Sequence, residues 1–420
     1  MPTGNQEYIR DMNRSLVLEA IVNHAPLSRA DLSKKLHLTK ATISNIVQEL
    51  IDRELVLELG SGDAPMGRKP ILLTFNHNCG HVISVDFGVR RISIMTSDPL
   101  GCSCEVHEYP SRTDQSPEDH LISLLQETIH SLPETPYGIL GISIGIYGVV
   151  CDNTVLFTPY YDLKYSNLRN LLEETFHVPV IVENEANLSV IGESSIGQGH
   201  RNMIFLNIHE GVGMGILVNG QLYKGQNGYA GEFGHTILFP DGRPCPCGNQ
   251  GCLEQYISES AILKEYAKGH GRTSASLDEF LYAYSQENPA AQRALHDFVH
   301  YTAISLNTVL HTFNPDIIVV NSSFTNDIPG LLDQITASVQ NRLRWYLHVV
   351  PSQLQDVSAL LGGVCLCTTN FLGIRDLHLH YLFRCCGIVT VQSAERLPFT
   401  IISNFVHYFF TLESRFQHIF

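Results

Sequence analysis

One histidine and three cysteines in the middle of the chain have the spacing of a metal site. His235 is followed by Cys245, Cys247 and Cys252, with three thiols in a run of eight residues. Three thiolates and one imidazole are donors that a tetrahedral zinc ion prefers, and four protein donors leave no position for a reactive water. The sequence therefore predicts a structural zinc site. The alternative is a chance cluster of cysteines in a loop.

Two carboxylates, Glu232 and Glu254, flank these four residues, where a bound metal would hold them rigid. The segment Gly231-Glu232-Phe233-Gly234-His235, followed by Cys245-Pro246-Cys247-Gly248-Asn249-Gln250-Gly251-Cys252-Leu253-Glu254, resembles a motif of the ROK family of repressors and sugar kinases. That motif is E-x-G-H followed by C-x-C-G-x-x-G-C-x-E. The resemblance implies either a sugar-responsive repressor or a sugar kinase.

The resemblance also implies a set of sugar-contacting residues. The residues that match the family's sugar contacts are Asn184, Glu185, Glu232, His235 and Glu254. Carboxylates suit a polyol because each accepts two hydroxyl hydrogens, and His235 would give one ring nitrogen to zinc and the other to the sugar. Three alternatives remain open: Glu254 as a helix cap, Glu232 as a loop stabiliser, and Asn184 as a left-handed turn residue.

Composition and charge indicate a soluble chain of two or more domains. The chain has 420 residues, of which 44% are hydrophobic and 16% charged, and its net charge is −15. Residues 1–75 carry nine basic and nine acidic side chains, so the entire negative charge lies on the remainder. The N-terminal part could therefore tolerate a phosphate backbone. Eleven cysteines without a secretory signal are consistent with a reducing cytoplasm.

The N-terminal residues have the pattern of three helices and a hairpin. Ser28 and Thr39 are expected to cap the second and third helices, the third running from Lys40 to Arg53. Its apolar stripe is Ile43, Val47 and Leu50. The stretch from Leu27 to Leu50 resembles the winged helix-turn-helix of ROK repressors, a module that the family's sugar kinases lack.

Small and amide-bearing side chains occupy the opposite face of this third helix, as suits entry into a major groove. Leu55–Leu59 and Pro70–Phe75 are predicted to form a two-stranded wing with two cations at its tip. The residues predicted to contact DNA are Lys40, Ala41, Thr42, Ser44, Asn45, Gln48, Arg68 and Lys69. The alternative is a helical bundle that packs on the rest of the chain without touching DNA.

From His81 onward the pattern changes to alternating strands and helices, and it resembles the duplicated actin-like fold of ROK proteins. We expect an α/β protein in which a winged helix-turn-helix precedes a two-lobed body of the actin-like (ribonuclease H-like, sugar kinase type) ATPase fold. The expected domains are residues 1–76 for DNA binding, 77–372 for sugar binding, and 373–420 as an extension of unknown role. The resemblance covers residues from about 5 to about 372.

The kinase motifs of the family are altered. Where the kinases have Asp-x-Gly-Gly-Thr for phosphate, this chain has Asp86-Phe87-Gly88-Val89-Arg90, and Asn321-Ser322-Ser323 replaces late glycines near adenosine. Gly211-Val212-Gly213-Met214-Gly215 is intact, although a tight turn between strands explains it equally well. Glu185 stands where the family's kinases have the catalytic aspartate, and its extra methylene group displaces the carboxylate. A displacement of about 1 Å can lower the rate roughly 100-fold. The changes resemble the xylose-repressor branch and predict loss of kinase activity.

The sequence thus favours a cytoplasmic, dimeric repressor that binds operator DNA and releases it on binding a monosaccharide such as xylose. The alternatives are a DNA-binding sugar kinase and a regulator controlled by a partner protein. The 48 residues after Leu372 include an uncharged run from Leu397 to Leu412. This run is shorter than the ~20 residues of a membrane-spanning helix. It fits an added interaction segment or a shifted reading frame better than an anchor.

Overall fold

The computed structural model describes residues 4–61, 70–112, 114–161, 163, 167–196, 199–379 and 390–392. The predicted wing-tip residues Arg68 and Lys69 and the run from Leu397 to Leu412 lie outside this part. Each helix within it is too short or too polar to cross a membrane.

Helices and strands alternate along the body, as the sequence predicted. The helices are α1 Gly4–His24, α2 Arg29–Leu36, α3 Lys40–Asp52, α4 Pro117–Ser131, α5 Leu168–Phe176, α6 Glu185–Ile196, α7 Glu254–Ile257, α8 Glu259–Lys268, α9 Leu277–Ser285, α10 Pro289–Phe313, α11 Ser323–Asp327, α12 Leu331–Ala337 and α13 Ser358–Leu372. The strands are β1 Leu27–Ser28, β2 Val56–Ser61, β3 Ile71–Phe75, β4 His81–Phe87, β5 Arg91–Ser97, β6 Glu105–Pro110, β7 Ile139–Ile146, β8 Val149–Cys151, β9 Thr154–Phe157, β10 Val180–Asn184, β11 Met203–Ile208, β12 Val212–Val218, β13 Gln221–Leu222, β14 Ile317–Ser322, β15 Val349–Pro351 and β16 Thr390–Gln392.

The N-terminal module is a winged helix-turn-helix. Ser28 caps α2 in a reciprocal capping box with Asp31, and the Thr39 hydroxyl accepts a hydrogen bond from the backbone of Thr42 at the start of α3. The predicted stripe of α3 is buried, together with Ile46. Helix α3 ends one residue earlier than predicted, because Arg53 leaves helical geometry and becomes the C-cap. Strands β1, β3 and β2 form the antiparallel wing sheet.

Two mixed sheets form the body. One has the strand order β10-β7-β4-β5-β6-β16, and the other has the order β13-β12-β11-β14-β15. In the first sheet β4, β7 and β10 are parallel, so their carboxyl ends lie along one edge. Helix α6 begins directly after β10 in the first sheet and also packs against β11 and β12 of the second. This arrangement confirms the two-lobed actin-like fold.

Helices α6 and α13 cross in very close contact. A Cβ atom at Gly192 of α6 would collide with the carbonyl oxygen of Ser358 in α13. A Cβ atom at Gly362 of α13 would collide with the carbonyl oxygen of Leu188 in α6. The two backbones therefore approach each other through positions that only glycine can occupy.

Residues 374–379, which follow α13, connect the body to the N-terminal module. The Asn23 side chain of α1 donates to the carbonyl of Asp376 at 2.8 Å and accepts from the backbone of His378 at 2.9 Å. At the other side of this link, the Leu379 amide donates to the Ser195 carbonyl near the end of α6 at 2.9 Å. The Leu379 side chain is fully buried. The link thus contacts both α1 and α6.

Candidate functional site

The predicted zinc ligands converge in the structure. The donor atoms of His235, Cys245, Cys247 and Cys252 all lie within 4.8 Å of one another. His235 Nδ1 is 3.6 Å from the Cys245 sulfur, and the Cys247 and Cys252 sulfurs are also 3.6 Å apart. A tetrahedron with metal–sulfur bonds of about 2.3 Å has edges of about 3.8 Å. Both the donor set and its spacing therefore fit a zinc ion.

Loop geometry explains why these ligands converge. Gly248 and Gly251 adopt φ angles of +96° and +79°, which disfavour other residues. The turn from Cys245 to Asn249 is closed by hydrogen bonds from Gly248 N to Cys245 O and from Cys245 N to Asn249 O. His235 reaches the cysteines from a separate short 3₁₀ helix, Phe233–His235, and the Leu253 amide hydrogen-bonds to the Thr236 carbonyl to join the two segments.

The five residues predicted to contact sugar line one small cavity of about 70 Å³ beside this cluster. We call this cavity the carboxylate pocket. The predicted sugar contacts that line it are Asn184, Glu185, Glu232, His235 and Glu254. Since His235 turns Nδ1 toward Cys245 and Nε2 to within 3.8 Å of a Glu232 oxygen, its two nitrogens face the cluster and the pocket respectively. This is the orientation that His235 would need to offer one nitrogen to a metal and the other to a ligand in the pocket.

Asn184 and Glu185 reach the pocket from the junction of β10 and α6. The Asn184 side chain donates to the Gly148 carbonyl at 2.8 Å and accepts from the Asn187 amide at 3.1 Å, which fixes its orientation. One oxygen of Glu185 accepts from Ser189 at 2.9 Å and from Asn207 at 2.8 Å. Burial raises the pKa of Glu185, and these two hydrogen bonds oppose that shift.

The other two carboxylates enter the pocket from two segments, Glu232 from the residue before the short 3₁₀ helix and Glu254 from the first residue of α7. A Glu254 oxygen accepts a hydrogen bond of 3.3 Å from the backbone amide of Val212 in β12. The N-cap of α7 is Leu253 and no side chain caps that helix, so the helix-cap alternative for Glu254 is wrong. Burial raises the pKa of both Glu232 and Glu254, while the neighbouring His235 opposes the rise. Asn184 ends β10 in strand geometry, so the left-handed alternative is also wrong.

Sequence reasoning missed the aromatic wall of the pocket, which includes Tyr147, Phe157 and Tyr160. Gly211 lies beside Tyr160 and Glu254, because a Cβ atom added at this glycine would come within 2.7 Å of both the Tyr160 hydroxyl and a Glu254 oxygen. The pair of adjacent tyrosines, Tyr160 and Tyr161, was the signal in the sequence that could have pointed to these aromatic residues. A pocket lined by both hydrogen-bond acceptors and aromatic side chains suits a sugar ring.

A second cavity, of about 300 Å³, adjoins the carboxylate pocket and is lined by residues of both body sheets. We call it the cleft cavity; it includes Asp86, Val89, Arg90, His209, Asn321 and Asp356. Arg90 forms a 2.8 Å ion pair with Glu210, and Arg91 forms one of 2.9 Å with Asp356. These pairs occupy the side of the cleft where the sequence predicted altered phosphate motifs.

The glycine-rich run at Gly211–Gly215 is explained by packing within the fold. Gly211 lies in the turn between β11 and β12, whereas Gly213 and Gly215 lie within β12. A Cβ at Gly215 would collide with the Ala186 carbonyl, and one at Gly213 would lie 3.0 Å from the Ala186 side chain. The glycines therefore allow β12 to approach α6. Of the residues that replace the family's late glycines, Asn321 and Ser322 end β14 and Ser323 begins α11.

On the N-terminal module, the predicted DNA-facing side of α3 is open to solvent. The exposed residues are Lys40, Ala41, Ser44, Asn45 and Gln48. Thr42 is half-buried and its hydroxyl lies 2.9 Å from that of Thr39, so part of its hydrogen-bonding capacity serves the helix cap. Gln48 donates to Asp52 at 2.9 Å, one turn further along.

Comparison with known proteins agrees with this architecture. The ROK family model matches residues 82–370, and a MarR family model matches residues 11–64. A xylose repressor from Bacillus spizizenii is 33% identical over 383 residues, spanning 89% of this chain and 99% of the relative. A xylose repressor from Bacillus subtilis is 32% identical over 382 residues, with the same shares covered.

A solved ROK family transcriptional regulator, described as a homologue of the Escherichia coli MLC protein, has a TM-score of 0.74 and 25% identity, covering 87% of this chain and 98% of its own. A ROK family glucokinase from Streptomyces griseus, with glucose and AMPPNP, has a TM-score of 0.61 and 26% identity, covering 68% of this chain and 99% of its own. The regulator thus matches a larger share of this chain than the glucokinase does. The chain belongs to the ROK family.

Proposed function

We propose that this protein is a sugar-responsive transcriptional repressor of the xylose-repressor type, which binds operator DNA and releases it when a monosaccharide occupies the carboxylate pocket. The observation that carries the proposal is the convergence of three carboxylates, an amide and an imidazole on one cavity, in a chain that also exposes a polar helix face on a winged module. The relatives named as xylose repressors support xylose as the sugar.

Operator contact is assigned to the N-terminal module, residues 1–76. Side chains on the exposed face of α3 would read base edges, and the wing would contact phosphates or the minor groove. The proposed contacts are Lys40, Ala41, Thr42, Ser44, Asn45 and Gln48, with Arg68 and Lys69 beyond the described residues. A homodimer on a palindromic operator, in the cytoplasm, is the assembly that we expect.

Sugar binding is assigned to the body, residues 77–372, with a zinc ion held by His235, Cys245, Cys247 and Cys252. Zinc would supply no reaction here, because four protein donors complete its tetrahedron. The ion would fix the loop segments that carry Glu232 and Glu254. The three pocket carboxylates would then accept the sugar's hydroxyl hydrogens.

A sugar shifts the repressor only if it binds one arrangement of the lobes better than the other. Helix α6 provides a route for that difference, because its first residue, Glu185, lines the pocket and Ser195 near its other end contacts the link at Leu379. The link in turn hydrogen-bonds to Asn23 of α1. Closure of the lobes around a sugar would therefore change the position of the DNA-binding module through these contacts.

The competing function is a sugar kinase. The ion pairs of Arg90 and Arg91 with Glu210 and Asp356 disfavour it, because they place carboxylates where ATP phosphates would need free cations. We expect no sugar-dependent ADP production. A turnover of about 1 s⁻¹ or more would be ordinary for an enzyme and would establish the kinase instead.

The experiment that tests the proposal measures operator affinity with and without sugar. Duplexes that the full-length protein selects from a random pool serve as the operator, and fluorescence anisotropy follows release by xylose and other monosaccharides. Glu232→Gln should abolish release and leave DNA affinity unchanged, whereas Glu127→Gln, an exposed carboxylate on α4, should behave as wild type. If no sugar alters DNA affinity, control by a partner protein replaces this proposal.

A further inference from the structure

The cleft cavity and the carboxylate pocket are neighbours in the structure. The two cavities share four lining residues: Tyr147, Glu185, Asn207 and His209. The cleft cavity is the larger, about 300 Å³ against about 70 Å³ for the pocket. A volume of about 300 Å³ lies at the lower end of the range found for small-molecule sites. The site therefore has room beyond the carboxylate pocket for a further part of the same ligand.

The charges of the cleft cavity do not suit a nucleotide or another polyphosphate. Its two arginines are already paired, Arg90 with Glu210 at 2.8 Å and Arg91 with Asp356 at 2.9 Å. Arg91 also lies 3.2 Å from Glu108. The carboxylates that line the cavity are Asp86, Glu185, Glu210, Glu259 and Asp356. Even with the buried Asp86 uncharged, four carboxylates remain against two arginines, so a phosphate entering here would have to break ion pairs and approach an excess of negative charge.

Two buried polar atoms on the wall of this cavity have no hydrogen-bond partner in the described structure: Asp86 Oδ1 and His209 Nε2. The other side of each group is occupied, since Tyr147 donates to Asp86 Oδ2 at 3.4 Å and the Ser323 hydroxyl lies 3.3 Å from His209 Nδ1. A buried polar atom without a partner is destabilising, because the hydrogen bond that it made to water in the unfolded chain is not replaced. A ligand hydroxyl, which both donates and accepts, is a chemical match for this pair.

We propose that the effector site accepts a glycoside larger than a monosaccharide, with its terminal sugar in the carboxylate pocket and a second neutral, hydroxyl-rich unit in the cleft cavity beside Asp86 and His209. This inference rests on the proposed sugar-binding function. It deepens that function because it makes a disaccharide, and not only its component sugar, the ligand that fills the site.

Val89 is the position at which to test the proposal. It lies half-buried between β4 and β5 and lines the cleft cavity but not the carboxylate pocket. Val89→Phe should fill the space of the second unit, whereas Val89→Ala leaves it open and serves as the matched control. Calorimetry on the full-length protein would use xylose, glucose, their β-1,4-linked disaccharides xylobiose and cellobiose, and glucose 6-phosphate.

We expect at least one disaccharide to bind about tenfold or more tightly than its monosaccharide. In Val89→Phe this advantage should vanish while monosaccharide affinity stays within about twofold, which also shows that the variant is folded. Disaccharides that bind no better than monosaccharides, or an advantage that survives in Val89→Phe, would refute the inference and leave the proposed function standing. Tighter binding of glucose 6-phosphate than of every neutral ligand would refute it as well. No binding of any sugar would overturn the proposed function itself.

Discussion

The carboxylate of Glu185 accepts a hydrogen bond of 2.8 Å from the side chain of Asn207, which joins the first residue of α6 to strand β11 of the other sheet. The Asn207 oxygen in turn accepts from Asn321 of β14 at 3.0 Å. All three side chains are buried. A pocket residue is thereby connected through amides to the middle of the second sheet.

Asn207→Ala should weaken sugar binding, because Glu185 would lose a hydrogen bond that stabilises its charged form. Hydrogen bonds to charged groups contribute about 1.5–3 kcal/mol, so we expect a loss of affinity of about tenfold or more. Asn321→Ala, which removes only the outer amide, should have a smaller effect. Calorimetry with xylose measures both; equal losses in the two variants would contradict this account.

Asn23→Ala should uncouple sugar binding from DNA release. The substitution removes two hydrogen bonds between α1 and residues 374–379 without touching either the exposed face of α3 or the carboxylate pocket. Sugar affinity and sugar-free operator affinity should stay near wild type, while the sugar-induced drop in operator affinity shrinks several-fold. Asn13→Ala on the same helix is the control. An unchanged drop in Asn23→Ala would exclude this route.

Purified protein should contain about one zinc ion per chain. Cys247→Ser should lose the metal. It should also lose the response to sugar, because the segments that carry Glu232 and Glu254 would no longer be held in place. Cys151→Ser, at a half-buried thiol outside the cluster, provides the comparison. Elemental analysis of protein prepared without chelators gives the stoichiometry, and a metal-free preparation that still binds sugar would count against the site.

Asn45→Ala should weaken binding to the selected operator by about 1–3 kcal/mol, the usual contribution of one base contact. Binding to non-specific DNA should change little, since the amide carries no charge. Gln126→Ala, at an exposed amide on α4, is the matched control. Anisotropy titrations at fixed salt distinguish the two, and equal losses on specific and non-specific DNA would argue against base contact.

Asp86 should make the protein less stable as the pH rises from about 4 to about 8. Burial, with the nearby Glu185 charge, raises the pKa of this carboxyl from 3.8 to about 8. The neutral group therefore stabilises the fold fully below about pH 4, and this contribution is lost as the pH rises toward 8, because only the unfolded chain ionises freely. Asn cannot ionise.

The free energy of unfolding of Asp86→Asn, relative to wild type, should thus increase by at least about 1 kcal/mol between pH 6 and pH 8.5. Denaturant titrations at several pH values measure it. Comparison of the change across pH, and not of the absolute stability, cancels the effect of the altered hydrogen bonds. A difference that is constant with pH would show that Asp86 is charged in the folded protein.

Local patterns in the sequence predicted the elements well. The caps at Ser28 and Thr39 and the buried stripe of α3 depend on neighbours within a few residues, so spacing alone reveals them. The metal cluster was predictable for the same reason, because Cys245, Cys247 and Cys252 share one loop. The resemblance to a known family supplied the predicted sugar-contacting residues, but not the aromatic residues of the pocket.

Contacts between distant parts of the chain were not predictable from those patterns. The bond between Asn207 and Glu185 depends on how α6 packs against the second sheet, and the bonds from Asn23 to residues 374–379 span more than 350 positions. Asn321 lies within β14, where its side-chain amide donates to Asn207 of the neighbouring strand β11. Such relationships follow from sheet register and packing, which periodicity does not encode.

The glycine crossing of α6 and α13 has a mechanical consequence. Because the backbones meet at Gly192 and Gly362 with no side chain between them, α6 and α13 are packed backbone to backbone at the crossing. We expect the two helices to move together when the cleft closes, and so to carry a displacement at Glu185 toward Ser195, beside the link. A single methyl group added at either glycine would separate the helices and weaken that coupling.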